Sequence, residues 1–132
     1  MSLAMFMAVG AGGALGAMSR YGVAQLVGGG LFGIAGPMAT LVVNVVGSSL
    51  MGAIAGGIAA GMSLPEAWRG FIAVGFLGVL TTFSSFALDT GQVAGRQGMA
   101  MTRLYVGLSV GLSLAFFATQ ALVKAFFGRM PT

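Results

Sequence analysis

Asn44 is the one asparagine of the chain, and it lies in the middle of a long apolar run. Thr40 and Ser48 stand four residues to either side of it, so all three polar side chains share one face of a helix. A buried amide requires a hydrogen-bond partner, and its NH₂ group has two donors, which suits a small, strongly accepting anion. The spacing is equally compatible with ordinary hydrogen bonds between helices, so both interpretations stay open.

A second polar stripe follows the same spacing near the end of the chain. Tyr105, Ser109 and Ser113 stand four residues apart in another apolar segment and also share a helical face. Two such stripes on separate helices predict a polar track across a helical bundle. Interhelical hydrogen bonding without transport is the alternative explanation.

The segment between Gly75 and Phe86 combines residues that weaken a helix. Gly75, Gly78 and the pair Thr81-Thr82 fall near the middle of an apolar stretch long enough to cross a membrane. Such a segment can unwind, and its freed carbonyls can then bind a cation. A bent but intact helix is the alternative.

Phe83 and Phe86 stand three residues apart and therefore project from one helical face. The edge of an aromatic ring is electropositive, so an anion can approach it at little desolvation cost. Packing against lipid or protein is the commoner role of phenylalanine in so apolar a sequence.

Two isolated charges stand near these groups in the sequence. Arg20 precedes the end of the first apolar segment, where it can extend to the lipid headgroups or line a vestibule that concentrates anions. Asp89 follows Phe86 by three residues, and a solvated carboxylate at the end of a helix is the simpler interpretation of it.

The composition identifies the solvent in which these residues must act. Of the 132 residues, 58% are hydrophobic and 6% charged, and the mean hydropathy is +1.01. A soluble domain has about a quarter charged residues, so the surface of this chain must face lipid. A transmembrane helix needs about 20 apolar residues. The sequence therefore predicts an all-α membrane protein, a single transmembrane domain over 1–132, with four helices over about 3–27, 37–60, 64–93 and 101–127. Ser63 and Glu66 form a capping-box pattern at the start of the third helix.

The residues that are missing exclude several functions. The chain has no cysteine and no histidine, which excludes disulfides and thiolate or imidazole metal sites. Glu66 and Asp89 are its two acids, and neither has a base or nucleophile near it in the sequence, so an enzyme is not expected. A small dual-topology, proton-coupled exporter of cations or drugs is the alternative function. It requires a carboxylate in the first helix, which has none.

The basic residues give no preferred orientation in the membrane. Arg69, Lys124 and Arg129 fall on one side of a four-helix topology, and Arg20, Arg96 and Arg103 fall on the other. An excess of Lys and Arg normally marks the cytoplasmic side, and here the count is three against three. We therefore expect insertion in both orientations and an antiparallel homodimer. A single topology set by other factors is the alternative.

Several motifs together resemble the fluoride channel (Fluc/CrcB) family. The matching segments are residues 12–17 with Arg20-Tyr21, Thr40 to Gly47 with its Thr-Leu-Val-Val-Asn run, Gly75-Phe76-Leu77-Gly78, and Thr81-Thr82-Phe83-Ser84-Ser85-Phe86. The likeness covers the first three helices and the polar stripe of the fourth. The Asn motif and the Thr-Thr-Phe motif are specific when they occur together.

The resemblance implies a fluoride-selective channel that exports F⁻ passively and lowers cytoplasmic fluoride. It further implies a third helix broken near its middle, an antiparallel dual-topology homodimer with two pores, and a location in the cell (inner) membrane in both orientations. By the same resemblance, backbone carbonyls of Gly78 and Thr81 hold a structural Na⁺ at the dimer centre. The fluoride pore is assigned to Asn44, Phe83, Phe86, Ser84, Ser85, Tyr105, Ser109, Ser113 and Arg20. The family usually has Glu at the position of Asp89 and often Thr at that of Ser85.

Overall fold

The computed structural model describes residues 2–28 and 35–129, and the chain is all-helical over these ranges. Helix α1 is Leu3–Gly28 and α2 is Ala35–Ala59. The third span consists of α3 (Glu66–Arg69), a π-helical segment (Gly70–Leu77), α4 (Gly78–Leu80) and α5 (Phe83–Gln97). The fourth consists of α6 (Met99–Phe117) and α7 (Thr119–Phe127).

Four spans of the described chain are long and apolar enough to cross a membrane: Leu3–Val27, Gly36–Ala59, Glu66–Gln97 and Met99–Phe127. This confirms the predicted all-helical membrane architecture. Large apolar side chains cover the outside, and Leu3, Leu26 and Leu122 are more than 70% exposed. In water such a surface would drive association, whereas in a bilayer it faces the hydrocarbon.

The helix ends differ from the predicted ones by a few residues, with identifiable causes. Helix α3 begins at Glu66, Pro65 is its N-cap, and no side chain caps it, so the predicted Ser63 capping box is wrong. The third span continues to Gln97, four residues beyond the predicted end at Val93, because the next residue that breaks it is Gly98 at φ +87°. Residues 29–34 and 130–132, which follow the predicted first and fourth helices, lie outside the described residues.

Glycines bring α1 against the third span. A Cβ atom on Gly12 would overlap the carbonyl of Phe71, and one on Gly16 would overlap the carbonyl of Phe76. Small residues four apart allow this close backbone contact in lipid, where packing replaces the hydrophobic drive. On the other side of the bundle, α2 uses Gly52 and Gly56 in the same way against the junction of α6 and α7.

The buried centre lies between α2 and the third span. Val43, Leu77 and Leu80 form an apolar cluster, and Met51 and Phe76 pack against it from the side. Leu77 is the last residue of the π-helical segment and is 1% exposed. The cluster therefore fixes α2 beside the point where the third span changes conformation.

Candidate functional site

Thr81 and Thr82 separate α4 from α5. Helix α4 ends at Leu80, and both threonines have extended backbone conformations, with φ −76° and ψ 155° at Thr81 and φ −154° and ψ 123° at Thr82. The Thr82 hydroxyl then caps α5, because its Oγ1 accepts the N–H of Ser85 at 3.1 Å. Two residues near the middle of the third span thus leave the helical conformation, although the N–H of Thr81 still donates to the carbonyl of Leu77 at 3.1 Å.

Asn44 pairs with the backbone of this interruption. Its Nδ2 donates to the carbonyl of Thr82 at 3.1 Å, and its Oδ1 accepts the N–H of Thr82 at 2.8 Å. The amide thereby satisfies both backbone polar groups of one residue, which is required of non-helical backbone at membrane depth. One N–H of the amide is used in this pair, and a second remains for another acceptor.

The side chains of Asn44 and Thr82 bind two backbone N–H groups that would otherwise donate to the carbonyls of Gly78 and Thr81. In an uninterrupted helix the N–H of Thr82 would bond the Gly78 carbonyl, and the N–H of Ser85 would bond the Thr81 carbonyl. Here those N–H groups bind Asn44 Oδ1 and Thr82 Oγ1. Gly78 and Thr81 therefore keep carbonyl oxygens available to another partner, and both residues line a cavity beside the interruption.

That cavity has a volume of about 450 Å³ and lies between α2, the interruption and α6. Polar groups from the two stripes meet in it. Of the predicted site residues, it is lined by Asn44, Gly78, Thr81, Phe83, Phe86, Ser109 and Ser113. Ser48, the third member of the α2 stripe, also lines it. Four of the six stripe residues therefore face one shared space, whereas Thr40 and Tyr105 are not among its lining residues.

Three aromatic rings stand in sequence beside this cavity, and two of them, Phe83 and Phe86, line it. The centroids of Phe83 and Phe86 are 5.5 Å apart, and those of Phe86 and Tyr105 are 5.7 Å apart, with both pairs tilted. Tilted rings expose electropositive edges between them. Phe83 is 78% exposed, so this edge of the site is open on the surface of the single chain.

Two hydroxyl groups of the α6 stripe are buried without a partner among the described residues. These are the Tyr105 OH and the Ser109 Oγ. A buried, unpaired hydroxyl costs free energy, so such groups in a folded protein are candidates for binding a ligand, an ion or water.

A second cavity of about 330 Å³ is lined by two charged residues, Arg20 and Asp89. Arg20, Thr40, Ser85 and Asp89 line it, so the structure places Arg20 and Ser85 apart from the first cavity. Asp89 is 6% exposed and accepts a hydrogen bond from the Thr40 hydroxyl at 2.6 Å. The interpretation of Asp89 as a solvated carboxylate is therefore wrong: α2 covers it and provides its donor.

Ser84 and Thr82 form a further polar contact at the start of α5. Ser84 is exposed, with its Oγ 3.2 Å from the Thr82 Oγ1. Sequence reasoning overlooked Thr82 as a cap, although a threonine three residues before a polar Ser85 is an ordinary N-cap pattern. The sequence contains no pattern that predicts the hydrogen bond between Thr40 and Asp89, because the two residues are 49 positions apart.

Comparison with known proteins identifies similar sequences along most of the chain. Residues 7–121 match the family described as CrcB-like protein, Camphor Resistance (CrcB). The fluoride-specific ion channel FluC of Rhodospirillum centenum is 45% identical over 125 residues, covering 91% of this chain and 95% of the relative. FluC 2 of Symbiobacterium thermophilum is 44% identical over 108 residues, with 80% and 86% coverage. FluC of a Methylobacterium species is 39% identical over 131 residues, with 96% and 98% coverage.

Proposed function

The chain belongs to the CrcB-like family, and from this membership we propose that it is a fluoride-selective ion channel that exports F⁻ passively and lowers cytoplasmic fluoride. The observation that carries the proposal is the first cavity, where hydroxyl, amide and ring-edge groups from α2, α5 and α6 converge at membrane depth. Its relatives named fluoride-specific ion channels cover nearly the whole chain.

Selectivity follows from the cost of removing water from a small anion. A bare ion in an apolar medium is very unfavourable, so donors along the path must replace its hydration shell. The free N–H of Asn44 and the hydroxyls of Tyr105, Ser109 and Ser113 are such donors, and Phe83 and Phe86 add ring edges. Chloride is larger and cannot make the same close contacts. Ser84, which is exposed, and Ser85, which lines the second cavity, are proposed to add hydroxyls to the path outside the first cavity.

The second cavity fits the role of a vestibule. Arg20 lines it, and an unpaired cation in a concave, low-dielectric wall raises the local concentration of anions. Arg20 forms no ion pair among the described residues, but the carboxylate of Asp89 lines the same cavity and offsets part of its field. Flow follows the electrochemical gradient, in which a negative interior drives anions outward by about 2.3 kcal/mol per charge per 100 mV.

The carbonyls of Gly78 and Thr81 are proposed to hold a structural Na⁺ ion. Na⁺ prefers hard oxygen ligands, and these two carbonyls lose their helical donors to the caps provided by Asn44 and Thr82. One chain supplies too few ligands for a cation, so the site would be completed by the same residues of a second copy. Replacing Na⁺ by a large organic cation should then lower the stability of the assembly.

An antiparallel homodimer in the cell (inner) membrane, with chains in both orientations, is part of the same proposal. The three-against-three balance of basic residues supports dual insertion. The exposed Phe83 and the open side of the first cavity support a second chain as the missing wall. Cysteine labelling of an exposed position, from each side of the membrane, tests the orientation.

The proton-coupled exporter is not favoured. That mechanism needs a membrane-embedded acid in the first helix, and α1 contains none. Asp89, the acid inside the bundle, is hydrogen-bonded to Thr40 in the second cavity.

Purified protein in liposomes loaded with potassium fluoride tests the proposed function. After valinomycin is added to carry K⁺, a fluoride electrode should record rapid efflux from protein-containing vesicles and slow leakage from empty ones. Equal rates from both would refute the proposal.

A further inference from the structure

The next position on each polar stripe, four residues further along its helix, is a residue that contacts its counterpart on the other helix. Four residues beyond Ser48 on α2 is Gly52, and four residues beyond Ser113 on α6 is Phe117. A Cβ atom on Gly52 would overlap the carbonyl of Phe117. The faces that carry the polar side chains therefore converge at this contact.

Phe117 lines the first cavity at the end far from the other rings. Tyr105, whose ring packs against Phe86, lies 12 residues before Phe117 on the same helix. At 1.5 Å per residue this separation is about 18 Å along the axis. Beyond Ser48 and Ser113, the neighbouring lining residues are Met51 and Leu114, whose side chains have no hydrogen-bond donor. Phe117 is the lining residue that stands four positions after Ser113.

The position of Phe117 is fixed by a junction in the fourth span. Helix α6 ends at Phe117, and α7 begins at Thr119. The hydroxyl of Thr119 donates to the carbonyl of Ser49 at 3.0 Å, one turn before Gly52 on α2. Gly52 and this hydrogen bond together hold the end of α6 against α2.

We propose that Phe117 is a specificity-determining residue of the fluoride path, a third point at which a ring edge meets the ion, and that Thr119 is its positioning residue. This inference rests on the proposed function and extends it to the end of the cavity opposite Phe83 and Phe86. The ring is the group that can contact the anion favourably where the donors stop, because its edge carries positive charge without strongly held water.

Phe116 provides a matched control. It is the preceding residue of the same helix, it is 45% exposed against 38% for Phe117, and it lies outside the lining of the cavity. Phe116→Ile and Phe117→Ile remove the same ring one position apart. In proteoliposomes, Phe117→Ile should lower fluoride efflux about three- to tenfold, as expected for one ring contact. Phe117→Tyr, which keeps the ring, and Phe116→Ile should both stay within about twofold of the unaltered protein.

The Thr119 pair tests the positioning and covers the case in which Phe117→Ile does not fold. Thr119→Val removes the hydrogen bond to Ser49 and should lower efflux, whereas Thr119→Ser keeps the hydroxyl and should restore it. Normal efflux in Phe117→Ile, an equal fall in Phe116→Ile, or no difference between Thr119→Val and Thr119→Ser would overturn the inference. Each of these leaves the proposed function intact if the unaltered protein conducts fluoride. An unaltered protein that carries no fluoride refutes the proposed function, and this inference with it.

Discussion

Asn44 and Thr82 are joined by two hydrogen bonds, in which the side-chain amide of one residue satisfies both backbone polar groups of the other. The pair links the middle of α2 to the interruption in the third span. The pair also engages the N–H of Thr82, which in a continuous helix would donate to the carbonyl of Gly78. One side chain thus stabilises the non-helical backbone and adds a donor to the cavity.

Removing the amide should destabilise the protein as well as stop conduction. Asn44→Leu leaves the N–H and carbonyl of Thr82 unpaired, which costs about 1–3 kcal/mol for buried groups. Ser49→Ala is the control on the same helix, because the Ser49 hydroxyl bonds only the carbonyl of Val45 within its own helix. Reversible unfolding in mixed micelles, followed by circular dichroism, measures the free energy of unfolding of both variants. Equal stability of Asn44→Leu and the unaltered protein would contradict the role assigned to the pair.

The ring pair at the open side of the cavity should be required for flux and dispensable for folding. Phe83→Ile and Phe86→Ile should each lower fluoride efflux several-fold to about tenfold, since a ring contact contributes about 0.5–1.5 kcal/mol. The elution of the assembly from a size-exclusion column should not change. Phe126→Ile, which alters a 64% exposed ring outside the cavity, should conduct normally. Normal flux in both Phe83→Ile and Phe86→Ile would remove the aromatic pair from the path.

The hydrogen bond from Thr40 to Asp89 should contribute to stability through its hydroxyl. Thr40→Val is similar in shape and leaves the 6% exposed carboxylate without that donor, at a cost of about 1–3 kcal/mol. Thr40→Ser keeps the hydroxyl and should lose less than about 1 kcal/mol. The free energy of unfolding distinguishes the two variants. If Thr40→Val is as stable as Thr40→Ser, the hydrogen bond makes no net contribution to the free energy of unfolding.

The glycine contact between α1 and the third span should tolerate no added methyl group. In Gly16→Ala the new Cβ overlaps the backbone carbonyl of Phe76, and relieving this overlap by moving the helices apart costs about 1–3 kcal/mol. Gly22→Ala is the control, because a Cβ there meets nothing within 4 Å, and alanine favours the helix by about 1 kcal/mol. Thermal unfolding should rank Gly22→Ala above Gly16→Ala, and the reverse order would contradict the packing described.

Hydropathy and spacing predicted the four helices and identified which residues share a face. Asn44, Ser109 and Ser113 do line one cavity, because residues four apart on a helix necessarily lie on one side. The extended backbone at Thr81 and Thr82 lies in the segment whose glycines and threonines weaken a helix.

Contacts between helices could not be predicted in this way. Spacing does not say which helix a face meets, so the pairing of Asn44 with Thr82 and the burial of Asp89 against Thr40 were not foreseen. Arg20 and Ser85 were grouped with the pore residues, yet they line a separate cavity, since α1 reaches the third span on the side away from α6. The hydrogen bond from Thr119 to Ser49 also depends on a helix junction that the apolar pattern does not reveal.

The most direct test of the fluoride channel is a paired measurement on one vesicle preparation loaded with equal fluoride and chloride. Fluoride and chloride electrodes record the efflux of both ions after valinomycin is added. Because the donors and ring edges of the cavity replace the hydration shell of a small anion, we expect fast fluoride efflux while chloride stays at the level of empty vesicles. Efflux of both anions at similar rates, or of neither, would contradict the proposal that the chain is a fluoride-selective channel.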